Sequence, residues 1–347
     1  MFAEIRRRDR EKLDKAHRLV QIGPWFVARR RRLRVGTPIP ESRPMPNTLV
    51  HIGIHLPLTR GILRRSDPKW ILLGCAIPDL PWILQRVVRA ALPGVDPLDL
   101  RLYATAQASL FFCLILSAAA AFLSRHPVRT FAVLASGSAL HLFLDALEIK
   151  WGNGVHFFAP LCWRMTQFGF FRPESPVVSG FTLLGLGMLG TLGFRKWPTP
   201  SDRRKSKPGP TSGRIAGALL AGYFLLPLPL LSGPERADNH FVGTLRNPDE
   251  RTGKPIALDR TRWRPGEGFR IFAGEVLVAE GMDGVPAGTV SVRGRFVAPD
   301  RIRVLDLRRH PSGLREAASY VGLAGIAAVW IAAAFVRFRN EKGPNAG

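Results

Sequence analysis

Apolar windows of about 18–22 residues recur along the chain, and most of the charge lies in the segments between them. A helix needs about 20 apolar residues to cross the roughly 30 Å hydrocarbon core of a bilayer. The windows therefore predict a mostly α-helical, multi-span membrane bundle, although the first window could instead lie at the membrane surface. They cover residues 70–91, 105–124, 128–148, 177–194, 214–232 and 318–336.

The basic segments predict how these helices are oriented. The 347 residues carry a net charge of +24; residues 1–44 have thirteen Lys and Arg against five acids, and residues 195–214 have seven against one. Because short basic loops remain cytoplasmic, we predict a multi-pass protein with both termini in the cytoplasm. Nucleic-acid binding is the other explanation for such charge. No zinc finger or comparable motif accompanies it, so we expect the lipid bilayer as partner and no specific nucleic acid.

Changes in composition divide the chain into seven parts. The parts are a basic N-terminal extension at 1–44, expected to be disordered; a helical membrane domain at 45–194; a basic cytoplasmic linker at 195–213; a transmembrane helix at 214–232; an extracytoplasmic β-domain at 233–317; a transmembrane helix at 318–336; and a cytoplasmic tail at 337–347. Met45 offers a second start, so the protein could begin at Met1 or at Met45. The basic start is not followed by an apolar stretch with a cleavage site, so no signal peptide is expected.

The segment 233–317 differs from the rest of the chain in its pattern of apolar and polar residues. It alternates apolar and polar residues in the manner of strands, as in "TVSVRGRFV" at 289–297, with turn residues between the runs. This pattern predicts a small antiparallel β-barrel held between two membrane helices. The order of its strands resembles OB-fold domains of membrane-anchored bacterial proteins. Outside the membrane, that resemblance implies scaffolding or ligand contact with an unidentified protein partner, rather than nucleic-acid binding.

Several polar side chains interrupt the apolar windows. His141 and Asp145 are four residues apart, which places them on one face of a helix. Asp79 lies between Pro78 and Pro81, which break regular helix and can aim a carboxylate inward. Ionisable groups in membrane helices are costly and commonly functional.

Two further positions complete a candidate ligand set. His156 follows Asp145 beyond a glycine-containing turn, and "HIGIH" supplies His51 with His55 four residues later. Together His51, Asp79, His141, Asp145 and His156 form a mixed nitrogen and oxygen set that suits Zn²⁺, with Mn²⁺ as the other candidate. The alternative is a hydrogen-bonded pair of helix residues that binds no metal.

The stretches "GCAIPD" and "HLFLDAL" followed by "WGNGVHFFAPLCWR" carry a family resemblance. They resemble the LexA-binding, inner-membrane-associated metal-dependent hydrolases of bacteria, a family with a distant likeness to zinc-dependent phospholipase C. The resemblance covers about residues 45–175 and is strongest from 140 to 164. It implies a hydrolase-like domain at 45–194 in the bacterial inner membrane. The positions that match are His51, Asp79, His141 and Asp145, with His156 matching by position only.

The chain departs from this family in two places. The family's "PDxDH" is "PDLPW" here, so Pro81 and Trp82 replace an aspartate and a histidine. The family's "THS" falls near Gln107 or Ala108, neither of which is histidine. These losses weaken the prediction of catalysis more than the prediction of fold.

The predicted function is metal-assisted hydrolysis of a phosphoester or lipid headgroup. Asp79 is the candidate general base or a further ligand. Arg164 and Arg172 are candidates for binding an anionic substrate, or else interfacial anchors beside aromatic residues. The alternative function is a non-catalytic membrane scaffold with a vestigial metal site and a partner-binding β-domain.

Overall fold

A computed structural model describes residues 47–64, 66–194, 209–310 and 313–342. The described part is mostly helical and contains one small β-barrel. The predicted N-terminal extension and nearly all of the basic linker lie outside the described residues.

Ten of the described α-helices precede the barrel along the chain, and one follows it. They are α1 (Thr48–Ile62), α2 (Pro68–Ala76), α3 (Leu80–Ala91), α4 (Pro97–Gln107), α5 (Leu110–Phe122), α6 (Pro127–Leu147), α7 (Pro176–Phe194), α8 (Pro210–Leu225), α9 (Ser232–Arg236), α10 (Val242–Arg246) and α11 (Leu314–Lys342). The strands are β1 (Pro255–Arg264), β2 (Gly268–Arg270), β3 (Val276–Glu280), β4 (Gly288–Ala298) and β5 (Arg301–Arg309).

Four helical stretches among the described residues are long and apolar enough to cross a membrane. They are Pro68–Ala91, Pro127–Leu147, Pro210–Arg236 and Arg315–Phe335. A fifth would be formed by α4 and α5 together, which are bent by 68° at the break between them. The predicted window 105–124 therefore contains the end of α4, a break and all of α5, and is not one straight helix. The window 177–194 corresponds to α7, whose apolar part is shorter than a full span.

Glycines allow two pairs of helices to pack at very short range. A Cβ atom on Gly185 of α7 would collide with the backbone carbonyl of Leu49 in α1. Gly74 of α2 and Gly137 of α6 meet in the same manner, since a Cβ on either would lie 3.1 Å from backbone atoms of the other helix. Small residues at such contacts let membrane helices pack backbone to backbone. The second contact also holds the end of α2 against the polar face of α6.

The barrel is closed, with strand order β1-β2-β3-β5-β4. Its interior is apolar, with Phe269, Val292 and Phe296 almost completely buried. Four of the five pairings are antiparallel, and β3 pairs with β5 in parallel. The prediction of an antiparallel barrel is thus correct except at this pair. A closed ring with an odd number of strands cannot alternate in direction throughout, so five strands require one parallel pair.

The glycine contact between α1 and α7 yields a matched test. Gly185→Ala places a methyl group against backbone that cannot move aside, so we expect the free energy of unfolding to fall by about 1–3 kcal/mol. Gly187→Ala on the same helix meets open space and should leave the stability unchanged or slightly raised. Thermal unfolding of both variants in mild detergent measures the difference. Equal midpoints for the two variants would contradict the close packing.

Candidate metal centre

His141 and Asp145 lie on the buried face of α6. Nε2 of His141 is 3.8 Å from Oδ2 of Asp145. The other ring nitrogen, Nδ1, lies 2.6 Å from the backbone oxygen of Cys75. A carbonyl oxygen can only accept, so Nδ1 carries the proton and donates it. This bond fixes the tautomer and leaves the Nε2 lone pair facing the carboxylates, which is how metal-binding histidines are commonly held.

Asp79 and His51 converge on the same point from two other elements. Asp79 ends a 3₁₀ turn, Ile77–Asp79, and places Oδ1 3.6 Å from Nε2 of His141. His51 of α1 places Nε2 3.4 Å from Oδ1 of Asp145, and its ring stacks on that of His141 with centroids 3.8 Å apart. Four of the five predicted ligands are therefore neighbours in space.

Three of these residues have the spacing of a metal-binding group. One ligand atom from each of His51, His141 and Asp145 lies within 4.8 Å of the other two. Two ligands about 2.0–2.2 Å from one tetrahedral ion are about 3.3–3.6 Å apart. The separations of 3.4 Å between His51 and Asp145 and of 3.8 Å between His141 and Asp145 are close to this range and longer than ordinary hydrogen bonds.

Unsatisfied polar atoms mark the same place. Nε2 of His141 and Nδ1 of His51 are buried and have no hydrogen-bond partner among the residues that the structure describes. Buried polar groups are rarely left unpaired, because desolvation then goes uncompensated. The residues present can therefore accommodate a divalent cation, and His51, His141 and Asp145 are the groups that could hold it.

Lys150 is the main group that the sequence reasoning missed. Its Nζ lies 2.9 Å from Oδ1 of Asp145 and 3.3 Å from Oε2 of Glu148. Burial favours a lower pKa for Lys150, but the charges of Asp145 and Glu148 outweigh it and raise the pKa. Arg315, at the start of α11, binds the same Glu148 oxygen at 3.0 Å. The only signal in the sequence was "LEIK", a charged run directly after an apolar helix.

His55 is a second buried histidine of α1 without a described partner. Its ring centroid is 6.0 Å from that of His51 and 6.4 Å from that of His141. Both of its ring nitrogens lack a hydrogen bond. It lies next to the three ligand candidates but is not one of the group that could share an ion.

The fifth predicted ligand, His156, lies apart from these residues. It is buried in the loop after α6, and it lines a cavity of about 90 Å³ that also reaches Asp145 and Lys150. Burial lowers the pKa of His156 to about 4, although a hydrogen bond with Asn239 acts in the opposite direction. The structure thus places His156 in the cavity beside the cluster, outside the group of three.

The two arginines predicted to bind substrate do not face this cavity. Arg164 and Arg172 are both exposed, and neither lines it. Basic groups of the cavity wall are instead Arg86, Arg101, Lys150 and Arg315. They come from four separate parts of the chain, so no local motif could have indicated them.

The positions where the chain departs from the family pattern also lie at this cavity. Trp82 and Ala108 line it. Gln107 is buried, and its Nε2 donates to the hydroxyl of Tyr103 and to the backbone oxygen of Tyr223, each at 3.2 Å. Trp82 and Ala108 offer no metal ligand, so any ligands that the family would supply there are absent.

Comparisons with known proteins give no match, whether against protein-family models, curated proteins or solved structures. The family resemblance therefore stays a prediction.

A carboxylate clamp joins the helices to the barrel. Glu174, just before α7, accepts hydrogen bonds from Arg260, from Arg308 at 2.7 Å and from Nδ1 of His310 at 2.8 Å. Arg260 lies in a β-bulge of β1 with a left-handed backbone, φ 50°. Bulges commonly redirect a side chain, and this one turns a barrel arginine towards the helical domain.

The same clamp contains a serine, histidine and glutamate in series. Oγ of Ser291 is 2.8 Å from Nε2 of His310, whose other nitrogen contacts Glu174. A nucleophilic serine would need an accessible hydroxyl that donates to the histidine. Ser291 is instead only 2% exposed, and its hydroxyl donates to Asp259 at 2.7 Å. The series is therefore a structural contact between the two domains.

The clamp predicts a specific pH dependence. Burial favours a higher pKa for Glu174, but the hydrogen bond from His310 and the charges of Arg260 and Arg308 outweigh it. The pKa falls from its ordinary value of 4.5 to about 2. A depressed pKa gives stability that is present above pH 4.5 and lost as the pH falls towards 2.

We expect the free energy of unfolding of the wild type to fall more steeply between pH 4.5 and 2 than that of Glu174→Gln. Denaturant unfolding in detergent, followed by tryptophan fluorescence, measures both curves. Glu280→Gln is the matched control, because Glu280 pairs with Arg303 on the exposed barrel surface. Parallel curves for wild type and Glu174→Gln would show that the clamp has no such role.

Proposed function

We propose that the chain is a membrane-bound, metal-dependent hydrolase of the bacterial inner membrane, with both termini in the cytoplasm. The substrate class is a phosphoester, which includes lipid headgroups. The observation that carries the proposal is the buried Nε2 atom of His141, which lies between the carboxylates of Asp79 and Asp145. The hydrogen bond from Nδ1 to the carbonyl oxygen of Cys75 fixes the tautomer and leaves a lone pair on Nε2. A proton or a metal ion between these groups would relieve their mutual repulsion.

The donor set supports Zn²⁺, with Mn²⁺ as the other choice. Two imidazoles and one carboxylate are a common set of protein ligands for catalytic zinc, which leaves a position for water or substrate. When bound, such an ion lowers the pKa of a coordinated water towards neutrality and polarises a phosphoryl oxygen. The ligand candidates are His51, His141 and Asp145.

Other residues of the chain have roles that do not depend on the identity of the ion. Cys75 orients His141 through its carbonyl oxygen. Asp79 is buried beside the three ligand candidates and is the carboxylate available to accept a proton from the attacking water, as a general base must. Asp145 reaches both the cluster and the adjoining cavity. A substrate in that cavity would therefore lie next to the reacting groups.

The β-domain fits an extracytoplasmic, OB-like module. It is a closed five-stranded barrel, the strand count of OB-folds. Apolar helices of spanning length flank it on both sides, Pro210–Arg236 before it and Arg315–Phe335 after it. Two spans in these positions would hold both of its ends near one membrane surface, and the basic segment at 195–214 supports placing that surface on the outside.

A non-catalytic scaffold is the second candidate, and Lys150 favours it. The ammonium group already lies 2.9 Å from Asp145, so it supplies a positive charge that a metal would otherwise provide. In that case the cluster would hold α1, α2 and α6 together without chemistry, and the barrel would bind a partner.

Metal content separates the two candidates. We expect the purified full-length protein, reconstituted with Zn²⁺ or Mn²⁺, to bind about one ion per chain by elemental analysis. His141→Ala combined with Asp145→Ala should weaken binding by more than about tenfold, since both ligands are lost. His126→Ala, which removes an exposed histidine at the start of α6, is the control. No stoichiometric metal in the wild type would rule out the hydrolase. If metal binds, phosphomonoesters, phosphodiesters and phospholipids are the substrates to screen.

Removing the ammonium group of Lys150 gives a second test, in which zinc affinity should rise rather than fall. We expect Lys150→Met to bind zinc at least about threefold more tightly, because a positive charge near the ion is removed. Lys69→Met is the control, since Lys69 pairs with Asp67 at the protein surface. A scaffold predicts a different result. Neither the wild type nor Lys150→Met would bind zinc, and Lys150→Met would have a lower thermal midpoint because Asp145 and Glu148 lose their partner.

A further inference from the structure

A second cavity lies between the helices and the barrel. Its volume is also about 90 Å³, and it shares Arg101, Asn153 and Asp259 with the cavity beside the metal cluster. One probe-sized water needs roughly 10–15 Å³ of such volume, so each cavity has room for several waters or for one tetrahedral oxyanion. The shared wall residues make the two cavities neighbours.

Arg101 stands at the junction of the two cavities and is held by aromatic rings from both domains. Its guanidinium carbon is 5.3 Å from the ring centroid of Trp82 in α3 and 4.3 Å from that of Phe272 in the barrel. Cation–π contacts of this kind hold a guanidinium in place. Trp82, a departure from the family pattern, thus positions a cation.

Two buried histidines lie in the walls of the cavities. His156 lines the first and His240 the second. Nε2 of each is buried and has no hydrogen-bond partner among the described residues. His240 also lies in a run of strained backbone, with φ 54°, between Asp238 at 49° and Phe241 at 59°. Left-handed conformations of such residues cost energy and cluster at functional sites.

The charge around the second cavity is strongly positive. Arg101, Arg260, Arg262 and Arg270 line it, with Asp259 as the one carboxylate of its wall. Arg260 is bound to Glu174. Arg262 and Arg270 form no ion pair with any carboxylate that the structure describes. Burial, Arg101 and His156 all lower the pKa of His240, opposed only by a backbone hydrogen bond. Positive side chains therefore outnumber carboxylates in the wall of the second cavity.

We propose that these paired cavities bind a phosphate-type oxyanion, with Arg101 at their junction, His156 and His240 in their walls, and Arg262 and Arg270 at the barrel side. Free phosphate and the phosphate of a lipid headgroup share this chemistry. The site would hold the anionic group of the proposed substrate, and in that respect it rests on the proposed function. Anion binding itself requires no metal, so it is testable separately.

The test measures binding to the full-length, chelator-treated protein in nonionic detergent by calorimetry. Inorganic phosphate and a short-chain phosphatidic acid are titrated in separate arms. Arg101→Gln should weaken binding of the preferred probe by about tenfold or more, as expected for a lost charge-assisted hydrogen bond. Because Arg101→Gln could disturb folding, Arg262→Gln provides a second variant at an exposed position of the same cavity.

Arg264→Gln is the matched control for Arg262→Gln. It lies two residues further along β1, pairs with Glu267 and does not line the cavity. We expect at least threefold weaker binding for Arg262→Gln and a change of less than twofold for Arg264→Gln. Tighter binding of phosphate than of phosphatidic acid would indicate a free phosphate ligand, and the reverse would indicate a lipid.

No binding of either probe to the wild type, or equal losses in Arg262→Gln and Arg264→Gln, would overturn the inference. Zinc content of the same preparations keeps the two proposals distinct. Anion binding that depends on Arg101 and Arg262 in a protein without zinc affinity supports this site and refutes the hydrolase. Zinc binding without anion binding supports the metal centre and refutes this anion site.

Discussion

The carboxylate of Asp145 is the group on which the rest of the structure depends. It lies on an apolar helix, where an uncompensated charge costs several kcal/mol. Neighbouring groups offset that cost. His51 lies 3.4 Å and Lys150 2.9 Å from the carboxylate. Lys150 also pairs with Glu148, which in turn pairs with Arg315. Because Arg315 begins the helix that follows the barrel, this series connects the first buried helix to the last span. The candidate metal centre lies at one end of it.

Close backbone packing makes this arrangement geometrically defined. Gly74 and Gly137 bring α2 and α6 together, and one residue further along, the carbonyl of Cys75 meets the ring of His141. A larger residue at either glycine would separate the helices and release the histidine from its fixed tautomer. The chemistry that the site can perform is therefore set by two residues that have no side chain. For the same reason, the pattern of polar residues in the sequence does not by itself give the geometry of the site.

The sequence predicted the parts that depend on local periodicity. The helical spacing of His141 and Asp145 and the alternation in the barrel follow from patterns of four and two residues, and the apolar spans follow from composition over about 20 residues. The partners of those residues could not be predicted in this way. Arg315 reaches Glu148 across 167 residues of sequence, and such pairing follows only from the packed fold. The break between α4 and α5 was hidden because apolar composition alone does not show where a helix bends.

The departures from the family pattern acquire a meaning in the fold. Where a histidine is expected, Trp82 packs edge-on against His240, with ring centroids 5.6 Å apart, and also against Arg101. An imidazole from the segment that leads into the barrel thus packs beside the position in α3 where the resemblance predicts a histidine. A cavity built from helices alone would have lost a polar wall by these replacements. With His240 and the arginines of β1 and β2 on its other side, the barrel forms part of the wall of the second cavity, and an anion is the ligand that the charge of this wall favours.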